Sequence, residues 1–240
     1  MATFPHASMQ RTSSTSVATR IGSRWVLSQG AGPVGWRLAP LTVCRRAWCL
    51  TRRLVCSSAE SQSAAVRQER GISVRPAVPA DAEDIAGVHV RAWQAAYAGL
   101  LDDAILAGLS IAQRTVLWRE RLPAEPPRTY CVALLDGVVV GFCTTLEPSR
   151  DSDAQPGTAE ILSLNVDPSA WGSGAGQDLI DEALARLGAG AWTAVSLWVL
   201  DGNARAIRFY ERNGFQLDGA VKVDEALNCQ DLRMCRKLES

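Results

Sequence analysis

From Gly71 onward, apolar residues recur with a period of two or of about 3.6; before Gly71 they keep neither period. Ile72 to Pro76 alternates and predicts a short strand. Pro79 and Asp81 mark a helix start, with Asp81 as the cap and a run to about Ala98. Two more helical stretches follow, Asp102 to Leu109 and Ile111 to Leu122. Asp136-Gly137 lies between the apolar runs Tyr130 to Leu135 and Val138 to Thr145 and predicts a hairpin. Glu147 to Thr158 is a polar loop rich in Asp, Pro and Gly. Glu160 to Val166 is the next strand. From Gly174 to Leu187, Leu179, Ile180, Ala183, Leu184 and Leu187 share one helical face. A strand from Trp192 to Leu200 precedes a helix from Asn203 to Arg212 that stops at Asn213-Gly214. Strands from Phe215 to Val223 and Leu232 to Leu238 complete an α/β order without internal repeats.

Charge divides the chain at the same place. The formal net charge is zero. Residues 1–70 hold ten Arg, no Lys and two Glu, a net of +8; residues 71–240 hold 15 basic and 23 acidic residues, a net of −8. Residues 1–70, rich in Ser, Thr and Arg, are expected to form a disordered basic extension, and residues 71–240 the folded domain. Three origins fit the extension. It suits an organelle transit peptide, a basic segment for an acidic surface or nucleic acid, or upstream translated sequence with no role. The last is preferred, with initiation at an internal codon such as that of Val66. The 23 Arg against 2 Lys point to a GC-rich genome. A cytoplasmic location is then expected, with organelle targeting through residues 1–70 as the alternative. No uninterrupted apolar stretch follows the first basic residues, and no run approaches membrane-spanning length. Neither a membrane nor a nucleic-acid partner is expected.

Seven cysteines predict neither disulfides nor a metal site. Cys44, Cys49 and Cys56 lie in the extension without a histidine pair, and Cys131, Cys143, Cys229 and Cys235 form no C-x-x-C. A regular Asp-Gly hairpin would pair Cys131 with Phe142 and Cys143 with Tyr130, turning the thiols to opposite sides of the sheet. They are expected to be buried, reduced and inert.

The chemistry concentrates between Asn165 and Gln177. An apolar strand ends at Asp167-Pro168, glycines alternate at Gly172, Gly174 and Gly176, and a helical pattern begins at once. Glycines let a backbone turn tightly against a ligand, and a helix start offers unpaired N–H donors at the positive end of a dipole. Strand, glycine turn and helix therefore predict a phosphate or pyrophosphate cradle. A dinucleotide fold is disfavoured: the glycines run G-x-G-x-G, with Gln at 177, and the turn follows three strands instead of opening a βαβ series. A P-loop lacks its G-K-[ST], and a purely structural glycine turn is the remaining alternative.

Residues 72–238 resemble the GNAT superfamily of acyl-CoA-dependent N-acetyltransferases. Leu162 to Pro168 followed by Trp171-Gly172-Ser173-Gly174-Ala175-Gly176 is similar to the acetyl-CoA signature [QR]-x-x-G-x-[GA], with Trp171 where Gln or Arg is usual. The block from Leu197 to Phe215, with Asn203 leading its helix and Phe209-Tyr210 before Asn213-Gly214-Phe215, is similar to the family's second conserved region.

That resemblance implies a mixed central sheet, splayed at the acetyl-CoA site, with helices on both faces. It implies acetyl-CoA as acyl donor, no metal, and direct transfer to a primary amine in a ternary complex. Backbone groups of Gly172, Ser173, Gly174, Ala175, Gly176 and Gln177 would hold the pyrophosphate. Leu164 and Val166 would line pantetheine as an added strand does, and the Leu164 N–H would polarise the thioester carbonyl. Asn203 would cap its helix at Arg205 or Ala206 and support the CoA arm. Tyr210 would protonate the leaving thiolate, and either Glu160 or water would take the amine proton. His89, Trp93 and Tyr97, at i, i+4 and i+8, share a face that can form the acceptor wall or pack in the core. Glu147, Asp151 and Asp153 can face the site, which mildly favours a cationic small-molecule or protein amine. The final strands leave an edge that a second copy can pair with. A CoA-binding sensor without transferase activity is the alternative function.

Overall fold

In the computed structural model, residues 71–122 and 128–238 are described; the expectations for residues 1–70 lie outside them. Among the described residues, seven strands form one sheet: β1 (Ile72–Pro76), β2 (Arg128–Leu135), β3 (Val138–Leu146), β4 (Thr158–Val166), β5 (Ala194–Leu200), β6 (Gln216–Asp224) and β7 (Cys229–Lys237). The order across the sheet is β1-β2-β3-β4-β5-β7-β6. Only β4 and β5 run parallel; the other neighbours are antiparallel. The helices are α1 (Ala82–Ala96), α2 (Asp103–Ala107), α3 (Ile111–Arg121), α4 (Ala175–Ala189) and α5 (Ala204–Arg212). A parallel pair needs a crossover, and α4 provides it.

Strand alternation feeds two cores, one on each face. Tyr130 and Val132 of β2 pack with Ile85, Val88 and Trp118 of α1 and α3. Their neighbours Cys131 and Ala133 pack with Leu179, Ile180 and Ala183 of α4. The mixed sheet with helices on both faces is as expected. So is the hairpin, whose turn residues Asp136 and Gly137 adopt φ of 51° and 83°.

The register of that hairpin differs from the regular one. Ala133 opposes Gly141, but Leu134 opposes Val139, so Val140 is an extra residue. This β-bulge slides the rest of the pairing by one position. Cys131 therefore opposes Cys143, and both thiols enter the same core, instead of facing opposite sides. Both are free. Burial pushes the two thiols up, Cys143 furthest, as expected of inert thiols.

Two other details correct the expectations. Asp81 does not cap α1 with its side chain. It closes the preceding 3-10 turn (Pro79–Asp81), accepting from the Val78 N–H at 2.8 Å and from both Arg75 Nη atoms at 2.7 Å. Of the two last strands only β6 is an edge; β7 lies between β5 and β6. Leu217, Val221 and Val223 are exposed on β6.

The bulge also sets a steric limit. It turns Gly141 toward α4, where an added Cβ would lie 3.0 Å from Leu179 Cδ1 and 3.1 Å from the Asn165 carbonyl oxygen. Gly141→Ala is expected to destabilise the fold by about 1–3 kcal/mol through overpacking. Urea unfolding measures this; an unchanged midpoint would show that the helix–sheet contact yields freely.

Candidate active site

β4 and β5 share hydrogen bonds only from Thr158↔Ala194 to Ile161↔Leu197. Both strands continue, β4 to Val166 and β5 to Leu200, without further pairing. The divergence starts at a bulge. Thr144 opposes Ser163 and Thr145 opposes Ile161, which leaves Leu162 extra. Beyond it the Asp167 N–H donates to the Val140 carbonyl at 2.8 Å. The trans peptide then turns the Val166 carbonyl the opposite way, into the gap. Alternation aims the Val166 N–H and both backbone groups of Leu164 the same way. The gap opens into a cavity of about 470 Å³ bounded by β4, β5, α1, the glycine turn and α5.

At the cavity mouth the glycines do specific work. Gly172 and Gly174 have φ of 87° and 105°, which side-chain-bearing residues rarely adopt. Two of the expected cradle amides are used internally: Ser173 N–H donates to the Ala170 carbonyl and Ala175 N–H to Ser173 Oγ, both at 3.2 Å. Those of Gly172, Gly174, Gly176 and Gln177 have no acceptor among the described residues. Four free amides around a helix start are what an anion needs.

Trp171 fills the position where the signature has Gln or Arg. Its Nε1–H donates to the Val166 carbonyl at 2.9 Å, closing one of the open backbone groups. The Arg205 guanidinium carbon lies 3.6 Å from the centre of its ring. Arg205 and Arg212 are the charged residues lining the cavity, and no carboxylate lines it among the described residues. Neither arginine was singled out in the sequence, because both sit in a polar helical pattern that reads as a solvated face.

Helix α5 supplies the rest of that wall. Asn203 accepts from the Ala206 N–H at 3.1 Å and also lines the cavity. Tyr210 lines it too, wedged edge-on between Phe209 and Phe215 at centroid distances of 5.3 and 5.9 Å. Its hydroxyl has no hydrogen-bond partner among the described residues. Burial, followed by the nearby Cys143 and Tyr97, pushes its pKa up and keeps the phenol protonated. Leu164 and Val166 line the cavity with it.

The expected acceptor face divides. His89, Trp93 and Tyr97 form a ladder with successive centroids 5.2 Å apart. Trp93 and Tyr97 line the cavity, joined by Trp198 from β5. His89 turns into the core against Trp118 and Phe142, and neither ring nitrogen has a partner among the described residues. Glu160 stands apart as well. It is 1% exposed and does not line the cavity, and its carboxylate accepts from Arg150 Nε at 3.1 Å, Arg150 N–H at 3.2 Å and Ser149 Oγ at 3.4 Å. The acidic loop does not face the site either. Glu147 bonds Arg186 and Trp192, Asp151 takes the Trp198 Nε1–H, and Asp153 pairs with Arg233. Among the described residues no cluster of metal-binding side chains occurs.

A profile of the acetyltransferase (GNAT) family matches residues 93–215, the span that carries most of this cavity. The chain belongs to the GNAT acetyltransferase family. Among curated GNAT relatives, a mycothiol acetyltransferase of Frankia casuarinae is 35% identical over 157 residues, 62% of this chain and 42% of that protein. Another, of Sanguibacter keddieii, is 32% identical over 179 residues, 73% of this chain and 53% of that protein. The chain thus spans about half the length of these relatives, or less. Solved structures share the fold. PaiA N-acetyltransferase of Thermoplasma acidophilum, in complex with coenzyme A, superposes with a TM-score of 0.56 at 22% identity, over 69% of this chain and 98% of that one. YncA of Salmonella typhimurium, solved with acetyl-CoA, gives 0.53 at 20% identity, over 70% and 95%.

His89 gives the GNAT domain a measurable pH response. Burial, then the charges of Arg114 and Arg121, lowers its pKa from 6.5 to about 4. Between those values the unfolded chain binds the proton and the folded chain does not, so stability falls as pH drops. The slope reaches at most about 1.4 kcal/mol per pH unit. Urea unfolding at pH 7.5 and pH 5 should show a larger acid loss for the wild type than for His89→Leu. Equal losses would place the His89 ring in contact with water.

Proposed function

We propose that this domain transfers an acetyl group from acetyl-CoA to the primary amine of a small molecule. The observation that carries this reading is the stretch of β4 left unpaired on its β5 side, followed by four amides without an acceptor among the described residues at the start of α4. An extended pantetheine arm matches the first, and a pyrophosphate matches the second. The solved relatives bound to coenzyme A or acetyl-CoA support the same ligand. Acetyl-CoA brings the activated acyl group; the residues supply position and proton traffic.

The amides of Gly172, Gly174, Gly176 and Gln177 hold the pyrophosphate. Leu164 and Val166 meet pantetheine through backbone groups, and the Leu164 N–H polarises the thioester carbonyl. Ser173 and Ala175 shape the turn. Asn203 fixes the start of α5, which sets the position of Tyr210. The Tyr210 phenol, protonated and without another partner, gives its proton to the departing thiolate. Solvent takes the first amine proton, because the Glu160 carboxylate is engaged by Arg150 and Ser149 away from the cavity.

The acceptor side is aromatic and uncharged, with Trp93, Tyr97 and Trp198 in its walls. That lining suits an amine on a neutral polar scaffold better than a polycation, since the carboxylates that would attract one are paired elsewhere. The mycothiol acetyltransferase relatives support a small-molecule acceptor.

Thiol release from acetyl-CoA across a panel of small-molecule amines tests the function. Acceptor-dependent release is expected; tight CoA binding without it would identify a binding module. Tyr210→Phe should lower kcat by about 100-fold or more with CoA affinity unchanged. An unaltered kcat in a chemistry-limited assay removes Tyr210 from the mechanism.

A further inference from the structure

The position before the glycine turn poses a problem that the rest of the cavity answers. Trp171 cannot offer a phosphate either charge or more than one N–H, and that N–H is spent on the Val166 carbonyl at 2.9 Å. Its ring serves instead as a platform. Arg205 enters from α5, and its guanidinium carbon stands 3.6 Å from the ring centre, well inside cation–π range. A stacked guanidinium keeps its edge N–H groups free, because the π face occupies only the plane. Arg205 has no carboxylate or hydrogen-bond partner among the described residues, although the domain carries a net of −8. Arg91 pairs with Asp167, Arg150 with Glu160, and Arg233 with Asp151, Asp153 and Asp218; of the two arginines that line the cavity, Arg205 and Arg212, only Arg205 is stacked on Trp171. An oriented cation thus stands over Trp171, the residue before Gly172, in the lining of a cavity without carboxylates among the described residues.

We propose that the Arg205 guanidinium, held on the Trp171 ring, is the side-chain cation that binds the pyrophosphate of CoA. It stands in for the Gln or Arg that the turn lacks at position 171. The assignment rests on the proposed CoA ligand. Chemically it is a tertiary substitute: the missing group returns from a different helix, carried by an aromatic side chain that replaced it. Phe209 and Arg212, at i+4 and i+7 from Arg205, continue the same face of α5 along the cavity. Arg212 lies about 10 Å further along the helix axis, out of reach of Trp171.

Calorimetric titration of the full chain with CoA, dephospho-CoA and pantetheine separates the contacts. Arg205→Ala should weaken CoA and dephospho-CoA equally, by about ten- to a hundred-fold, as loss of a charge-assisted hydrogen bond does. Pantetheine, without pyrophosphate, should bind both proteins alike. Arg205→Ala combined with Trp171→Arg should regain most of the loss by returning the cation to the turn. Thermal unfolding of each variant near the wild-type midpoint shows that the fold is intact. If Arg205→Ala binds CoA within two-fold of wild type, the assignment is overturned. It is equally overturned if the loss appears with CoA but not with dephospho-CoA, since the cation would then serve the 3′-phosphate. Wild-type protein that binds none of the three probes overturns the CoA reading itself; the other two outcomes leave that reading standing.

Discussion

Two parallel strands that stop sharing hydrogen bonds govern this domain. β4 and β5 are paired as far as Ile161 and Leu197, and then a bulge at Leu162 lets them part. Backbone groups turned into such a gap carry a standing cost, about 1–3 kcal/mol for each one left buried and unsatisfied. The domain meets that cost locally. Trp171 closes the Val166 carbonyl, and the remaining groups face an open cavity. The cavity walls are the ones to which the proposed function gives the chemistry: α5 with Tyr210, and α1 with Trp93 and Tyr97. Under the proposed function an extended ligand completes the broken ladder, so the structural deficit and the proposed binding site are one feature.

Charge is arranged to keep that site positive in an acidic domain. Arg233 gathers Asp151, Asp153 and Asp218, while Arg186 holds Glu147. Both clamp the loop between β3 and β4 and neutralise it. Single surface pairs add little stability, but Arg233, largely buried, ties Asp151 and Asp153 of the loop to Asp218 of β6. The consequence for binding is larger. Among the described residues, Arg205 and Arg212 supply all the charge on the cavity wall. An anionic donor is favoured, and a polycationic acceptor loses the attraction that composition alone suggested.

Much of this was legible in the sequence because local rules dominated there. A two-residue hairpin turn needs positive φ at both positions, and Asp136-Gly137 supplies residues that adopt it. The glycines at 172 and 174 announced their backbone conformation, and the apolar stripe of α4 announced its face. What stayed hidden depended on contacts between distant segments. The bulge that brings Cys131 opposite Cys143 has one local hint, the isolated Gly141 beside Val140, but its place depends on the fit of Gly141 beneath Leu179. The repeat of His89, Trp93 and Tyr97 gave a common face but not its curvature, so His89 fell into the core while its two companions reached the cavity. The acidic loop looked available because Arg186 and Arg233 are far away in sequence, and Glu160 because the path of the polar loop that carries Arg150 back onto it is not written in a local pattern. Arg205 looked like an ordinary surface residue until Trp171 was placed beneath it.

Amide hydrogen exchange followed by NMR, with and without CoA, tests the central claim most directly, because it reads backbone groups one by one. If backbone amides of the parted strand and the glycine turn bind CoA, then Leu164, Val166, Gly172, Gly174, Gly176 and Gln177 gain protection together. The Ser173 and Ala175 amides, already bonded within the turn, change least. Saturating CoA that leaves exchange at Leu164 and Gly172 to Gln177 unaltered, or protects another region instead, would contradict the account.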